Sequence, residues 1–233
     1  MSSLTTKPKL RTAAGKTASS KAKASPVKGP RWKNAAATPD DQYRLKRQVV
    51  IAEAAKTFGR HGAANVSLDQ IAAALNVTKP ALYYYIKNKQ ELIYECHELV
   101  MRSGDQVLQD AIASQSTGYG RITTFIKNYV ALLTDELGAP AILHDLSAMS
   151  QADQKKIVLR RRKFDQQLRE LVEAGILDGS IAQCDSKLAV FWFMSAVSSI
   201  PQWYRTEGSL HGEQIADAFI RFLSAGIQSR AAG

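Results

Sequence analysis

Six side chains between positions 79 and 89, Lys79, Tyr83, Tyr84, Tyr85, Lys87 and Lys89, put ammonium groups and phenol rings on one short stretch. An ammonium is a compact charge suited to a phosphate oxygen. A tyrosine ring offers an apolar body for sugar carbons or a thymine methyl, and a hydroxyl that needs a hydrogen-bonding partner. The chemistry of this set is that of gripping a nucleic-acid backbone and touching base edges, rather than of breaking bonds. Three consecutive tyrosines are hard to bury together, although any one of them could sit partly in a small helical core.

The elements that must position these groups are legible around them. Ile71, Leu75, Val77, Leu82 and Ile86 recur at helical intervals. Asn76 stands where two helices must turn, and Asn tolerates the left-handed backbone of such a corner. Ser67 is placed to cap the first of the two helices and Thr78 the second. Pro80 falls in the first turn of the second helix, where a missing N–H removes no intrahelical bond. Lys89 opens the next helix, whose positive dipole end and free N–H groups add to its own charge. The segment is a helix-turn-helix.

From about Arg44 to Leu92 the residues resemble the TetR-type one-component transcriptional regulators. A first helix with Ile51, Ala54, Ala55 and Phe58 ends at His61-Gly62 and is followed by the Ser67 cap. The run Leu82-Tyr83-Tyr84-x-Ile86-x-x-Lys89-x-x-Leu92 continues past the helix-turn-helix into the start of a fourth helix. The resemblance implies that Lys79, Ala81, Tyr83 and Tyr84, with Thr78 before them, are groove-facing and backbone-contacting positions of a recognition helix. It implies phosphate anchors at Ser67, Tyr85 and Lys89. Tyr85 stands where many members have His, and Asn76 where many have Gly.

The formal charge of +10 is unevenly spread. Residues 1–39 hold nine Lys or Arg and no acid, residues 40–90 eight against four, and residues 91–233 fourteen against seventeen. The first stretch is Ala, Ser, Thr, Pro, Gly and Lys with few large apolar residues, so it cannot bury enough surface to fold. A basic disordered tail over residues 1–40 is expected, adding salt-sensitive contacts to phosphates. The other readings are an inert solubilising extension and an organellar transit peptide, the latter disfavoured because Lys outnumbers Arg and no amphipathic face is present. Residues 41–90 are expected to form the helix-turn-helix domain and residues 91–233 a helical domain large enough for its own core.

No phosphate loop, nucleophile elbow or paired-carboxylate motif is present, so an enzyme is not expected. Cys96 and Cys184 give neither a disulfide framework nor a metal pattern and are read as thiols in a reducing cytoplasm. Cys96-His97 and His144-Asp145 are adjacent pairs, which face different directions on a helix; no metal and no cofactor is expected. The longest apolar stretch, Leu188 to Ile200, is too short to cross a bilayer, so no membrane association is expected.

Beyond position 90 the apolar residues keep helical spacing. Ile122, Phe125, Ile126, Tyr129, Val130 and Leu133 make one face, and Ile157, Phe164, Leu168, Leu171 and Val172 another, ended by Gly175 and a turn through Asp178-Gly179. The fold is therefore read as all-α; the resemblance implies an N-terminal three-helix DNA-binding domain followed by a C-terminal helical ligand-binding and dimerisation domain. The stretch from Leu188 to Val197 has no polar face, and a helix apolar all round must be covered. A second copy of the chain, meeting it and the closing helix from Gly212 to Ile227, would cover it, the alternative being a core helix covered within its own chain; in the resembled family these two helices form a four-helix dimer interface.

The resemblance further implies an effector pocket among the middle helices. Its expected lining is Phe125, Tyr129, Leu133, Leu146, Met149, Arg161, Phe164, Trp192 and Trp203, with Leu143 and Met194 beside them, though each apolar residue could equally be ordinary core. Lys155-Lys156 and Arg160 to Lys163 place cations that could meet the phosphates of a long, partly apolar ligand. With the closing stretch from Gln202 to Ala216, this is similar to the subgroup that answers to acyl-CoA thioesters. The whole reads as a repressor bound as a homodimer to a palindromic double-stranded DNA operator and released by a small apolar effector, an acyl-CoA among them. The alternative is a low-specificity architectural DNA-binding protein whose basic arm does most of the binding.

Overall fold

Thr38 starts the first helix with a capping box. Its hydroxyl accepts from the Asp41 amide at 3.2 Å, while the Asp41 carboxylate accepts from the Thr38 amide at 3.2 Å and its hydroxyl at 2.7 Å. Pro39 follows at the first helical position. Thr38, Pro39 and Asp40, read above as the end of the basic tail, thus belong to the folded helix instead. The computed structural model describes residues 38–135, 143 and 146–227; the rest of the expected tail and the His144-Asp145 pair lie outside the described residues.

Among the described residues the elements are all helices: α1 Pro39–His61, α2 Leu68–Ala74, α3 Lys79–Tyr83, α4 Lys89–Ser114, α5 Gly118–Thr134, α6 Gln151–Leu177, α7 Ser186–Ser198, α8 Ile200–Trp203 and α9 Gly212–Ile227. None is long and apolar enough to cross a membrane. Most starts are fixed by side chains that satisfy otherwise orphaned amides: Ser67 for α2, Thr78 for α3, Asn88 for α4, Thr117 for α5, Ser150 for α6 and Asp185 for α7.

Two cores are built on these helices. The first joins Val50, Ile51, Ala54 and Phe58 of α1 to Ile71, Leu82, Ile86, Leu92, Ile93 and Cys96. The second joins Leu108 and Ala111 to the inward faces of α5, α6, α7 and α9. Both draw on α4, and they divide inside it between Met101 and Leu108. The chain therefore has no break at residue 90, because α4 is one continuous rod that serves both cores. Met149 and Ile157 also enter the first core, so the opening turns of α6 help seal it.

The expected face of α5 is buried at all six positions. Its start is pressed onto α6, where a Cβ on Gly118 would lie 2.3 Å from the Gly175 nitrogen and 2.4 Å from its Cα. Gly175, expected to end α6, instead lies inside it and allows that approach; the helix runs on to Leu177 and turns through Gly179, whose φ is +78°. The Asp178 carboxylate ties the junction by accepting from the amides of Gly118 at 2.7 Å and Ser180 at 2.9 Å. Hydrogen bonds from Ser180 and Gly118 hold its pKa below the usual carboxylate value.

Candidate functional site

The turn between α2 and α3 is made as its residues require. Asn76 has φ +54°, and among the described residues it alone combines positive φ with a side chain beyond glycine. Val77 then donates its amide to Ala72 O at 2.9 Å, closing the corner. Leu82 is fully buried beneath α3, so the other side of that single turn is delivered to solvent: Lys79, Ala81, Tyr83 and Tyr84 are all exposed, Tyr84 by 68%. Ser67 and Thr78 each accept from a helix amide, Gln70 N at 3.2 Å and Ala81 N at 3.4 Å. Because both hydroxyls act there as acceptors, each keeps its own proton to donate.

The three tyrosines divide. Tyr85 is half-buried, with its ring stacked on Tyr43 of α1 at 5.4 Å, and burial raises its hydroxyl pKa. Tyr84 meets both rings edge-on, at 5.0 Å from Tyr85 and 5.4 Å from Tyr43. Tyr83 stands apart on the exposed side. Arg47 locks this corner by donating to Tyr85 O at 3.2 Å and pairing with Glu95 at 3.1 Å and Glu91 at 3.6 Å. Tyr43 and Arg47 therefore place the tyrosines, a role that no spacing along α3 could reveal because both lie on α1.

The two cations differ in freedom. Lys79 is ion-paired with Asp69 of α2 at 2.9 Å, and that hydrogen bond raises its pKa. A phosphate contact by Lys79 must be exchanged for, or shared with, Asp69. Lys89 is half-buried at the start of α4 and its ammonium donates to Ala64 O at 3.3 Å. The α4 N-terminus also holds an acid, since Glu91 accepts from the Lys87 amide at 2.6 Å. The chemistry on offer is that of donors and cations: the hydroxyls of Ser67, Thr78 and exposed Tyr84, the exposed Lys79 ammonium and the half-buried Lys89 ammonium.

A cavity of about 310 Å³ lies among α4, α5, α6, α7 and α8. Tyr129, Leu133, Leu143, Arg161, Phe164 and Met194, all anticipated above, line it. Met101, Gly104, Asp105, Asp165, Leu168, Ser198 and Pro201 line it too and were not anticipated. The Asp residues read simply as polar faces of α4 and α6, and only the register between those helices turns them inward. Burial pushes the Tyr129 hydroxyl up to about 12, opposed by Arg161 and reinforced by Asp105. Burial also lowers the pKa of Arg161, whose Nη2 donates to Leu143 O.

The remaining expected pocket residues lie elsewhere. Phe125 is fully buried behind Tyr129, stacked on it at 5.1 Å, and is core. Met149 belongs to the first core and Leu146 packs against it, beneath the helix-turn-helix. Trp192 lies in a surface groove with Phe219 and Phe222, and Trp203 in a surface dimple with Leu210. The basic run is likewise split. Lys156 pairs with Asp153 at 2.9 Å and sits over the Tyr94 ring; Arg160 is taken by Glu98 and Asp105 of α4; Lys155, Arg162 and Lys163 are exposed. Arg161 alone of that run faces the cavity.

The apolar helix α7 buries Ala189, Val190, Phe193 and Val197 and leaves Leu188, Phe191 and Trp192 about half or more exposed. Phe222 of α9, 65% exposed, continues the strip. The Arg169 guanidinium and the Lys187 ammonium lie over the Phe191 ring, at 5.4 and 5.7 Å, and shade part of the strip.

The family model for bacterial regulatory proteins of the tetR family matches residues 50–96, and that for the tetracyclin repressor-like C-terminal domain matches residues 115–227. The uncharacterized HTH-type transcriptional regulator YhgD of Bacillus subtilis is 22% identical over 186 residues, covering 79% of this chain and 97% of the relative. Among solved structures, the regulator PfmR of Thermus thermophilus is similar with a TM-score of 0.70 at 22% identity, covering 76% of this chain and 97% of its own. AibR, crystallised in complex with isovaleryl coenzyme A and operator DNA, is similar with a TM-score of 0.69 at 24% identity, covering the same shares.

Proposed function

This chain belongs to the TetR family of transcriptional regulators, DNA-binding proteins rather than enzymes, and we propose that it is a repressor that binds a palindromic operator as a homodimer and is released by a small, largely apolar effector. The observation that carries the DNA half is the five-residue helix α3. Its one buried side chain, Leu82, anchors a turn that offers Lys79, Tyr83 and Tyr84 outward between the hydroxyls of Ser67 and Thr78 and the ammonium of Lys89. The 310 Å³ cavity supports the effector half, since it falls within the size range of small-molecule sites and is lined mostly by apolar groups.

The exposed strip of Leu188, Trp192 and Phe222 supports dimerisation through α7 and α9, because a contiguous apolar surface of this kind is costly to leave in water. A twofold dimer sets two reading heads on half-sites about one helical turn of DNA apart, which is why the operator is expected to be palindromic. The acyl-CoA expectation draws on AibR, which was crystallised with isovaleryl coenzyme A. A cavity of this size holds an acyl group but not the coenzyme. A cytoplasmic location follows from the proposed role on operator DNA.

The test is fluorescence anisotropy of the full chain titrated onto the intergenic DNA beside its own gene, at physiological salt with excess random competitor. Saturable binding that survives the competitor supports a site-specific regulator. Equal loss to random duplex supports the low-specificity architectural reading instead.

A further inference from the structure

The cavity has a polar end whose chemistry is unbalanced. Two carboxylates line it, Asp105 and Asp165, and both are already matched. Asp105 accepts from Arg160 Nε at 3.2 Å and from its Nη2, and Asp165 accepts from Arg169 Nη2. Arg161 has no such match among the described residues: its guanidinium gives Nη2 to the Leu143 carbonyl, a neutral acceptor, and the ionisable group that bears on it is the Tyr129 hydroxyl. Around it the lining is Met101, Leu133, Phe164, Leu168 and Met194, with that Tyr129 hydroxyl as a second donor.

A cation half-removed from water beside an apolar cavity is stabilised by an anion, and a guanidinium fork fits a carboxylate in two parallel hydrogen bonds. A neutral thioester or amide carbonyl offers no charge to it. The size agrees, since 310 Å³ corresponds to about ten water-sized groups, the scale of a medium-chain or small aromatic acid. We infer that the cavity takes its effector as an apolar monocarboxylate, the free acid rather than its coenzyme A thioester, with the carboxylate on Arg161 and the tail among Leu133, Phe164, Leu168 and Met194.

This rests on the cavity being the effector site proposed above, and the test reads binding directly so that it does not depend on finding an operator. Hexanoate, octanoate, decanoate and 3-phenylpropanoate are titrated into the full-length protein by calorimetry, beside octanamide, octylamine and octanoyl-CoA. At least one acid is expected to bind, with octanoate about ten- to a hundredfold tighter than octanamide, the worth of one or two charge-assisted hydrogen bonds. Arg161→Gln should erase that preference while keeping the wild-type helical circular dichroism, and Arg161→Lys should restore part of it. The inference is overturned if no acid binds, if octanamide matches octanoate, if octylamine is preferred, or if octanoyl-CoA binds where octanoate does not. It is also overturned if Arg161→Gln keeps the preference. Anisotropy on operator DNA with and without octanoate then separates the two readings: acid binding without DNA release leaves this site standing and removes its role as the effector switch.

Discussion

Replacing Arg160 with Gln should loosen α6 from α4 by a measurable amount. Its guanidinium reaches two carboxylates on α4, Glu98 through Nη1 and Asp105 through both Nε and Nη2, and the three side chains are 23%, 19% and 37% exposed. Burial alone would lower the Arg160 pKa, but hydrogen bonds and charge from Asp105 and Glu98 together outweigh it and raise it. Exposed pairs are worth roughly 0.2–1 kcal/mol and breaking a buried pair costs about 3–5 kcal/mol, so a partly screened double pair lies near ~2 kcal/mol. For a chain of this size that is a fall of about 4–8 °C in Tm, read by a thermal melt. Double-mutant cycles with Asp105→Asn and Glu98→Gln should give the larger coupling to Asp105, which receives two of the three hydrogen bonds. An unchanged Tm, or strictly additive effects, would refute the clamp.

On DNA, Lys79→Ala and Tyr84→Ala should weaken operator binding about five- to a hundredfold and change sequence preference, whereas Lys89→Ala should weaken binding to any duplex and reduce the salt slope by about 0.9; equal losses on operator and random DNA for all three would contradict these roles. Gly118→Ala forces a methyl group into the Gly175 backbone and should cost about 1–3 kcal/mol, or a Tm fall of roughly 2–12 °C in melts. The Asp178 carboxyl is held below its ordinary pKa by Ser180 and Gly118, so its contribution is fully present above its unfolded value and disappears as pH falls through the depressed one. The Tm difference between wild type and Asp178→Asn should therefore shrink as pH is lowered from neutrality into the acid range, and a pH-independent difference would be inconsistent with it.

The local grammar of the reading head was legible because each signal acts within a few residues. Ser67 and Thr78 cap, Asn76 takes the left-handed turn and Leu82 points inward, all from spacing alone. The face of α5 was legible for the same reason. What spacing could not give is register between helices. Gly175 has the look of a terminator and is a contact surface for Gly118. Trp192 and Trp203, large and apolar, were expected in the pocket and lie at the surface, while Asp105 and Asp165, polar and unremarked, line it. Large side chains advertise burial of some kind, but only the packing of α6 on α4 and α5 decides which of them border a void.

The basic run on α6 draws its meaning from this register. Consecutive residues on a helix point about 100° apart, so Arg160 and Arg161 cannot serve the same partner. One grips α4 through Glu98 and Asp105, and its neighbour faces the cavity. A turn earlier, Ile157 is buried in the first core with Met149, beneath the reading head. Three successive functions thus lie within two turns of α6: a contact with the head, a clamp on the rod that begins at Lys89, and the cationic end of the cavity. Given the proposed effector site, a ligand on Arg161 acts on the segment that fixes α4, and the coupling needed for release, about 1–3 kcal/mol, is comparable to the clamp itself. Arg160→Gln should consequently reduce the effect of ligand on operator affinity more than it reduces ligand binding. Equal reductions in both would place the coupling route elsewhere.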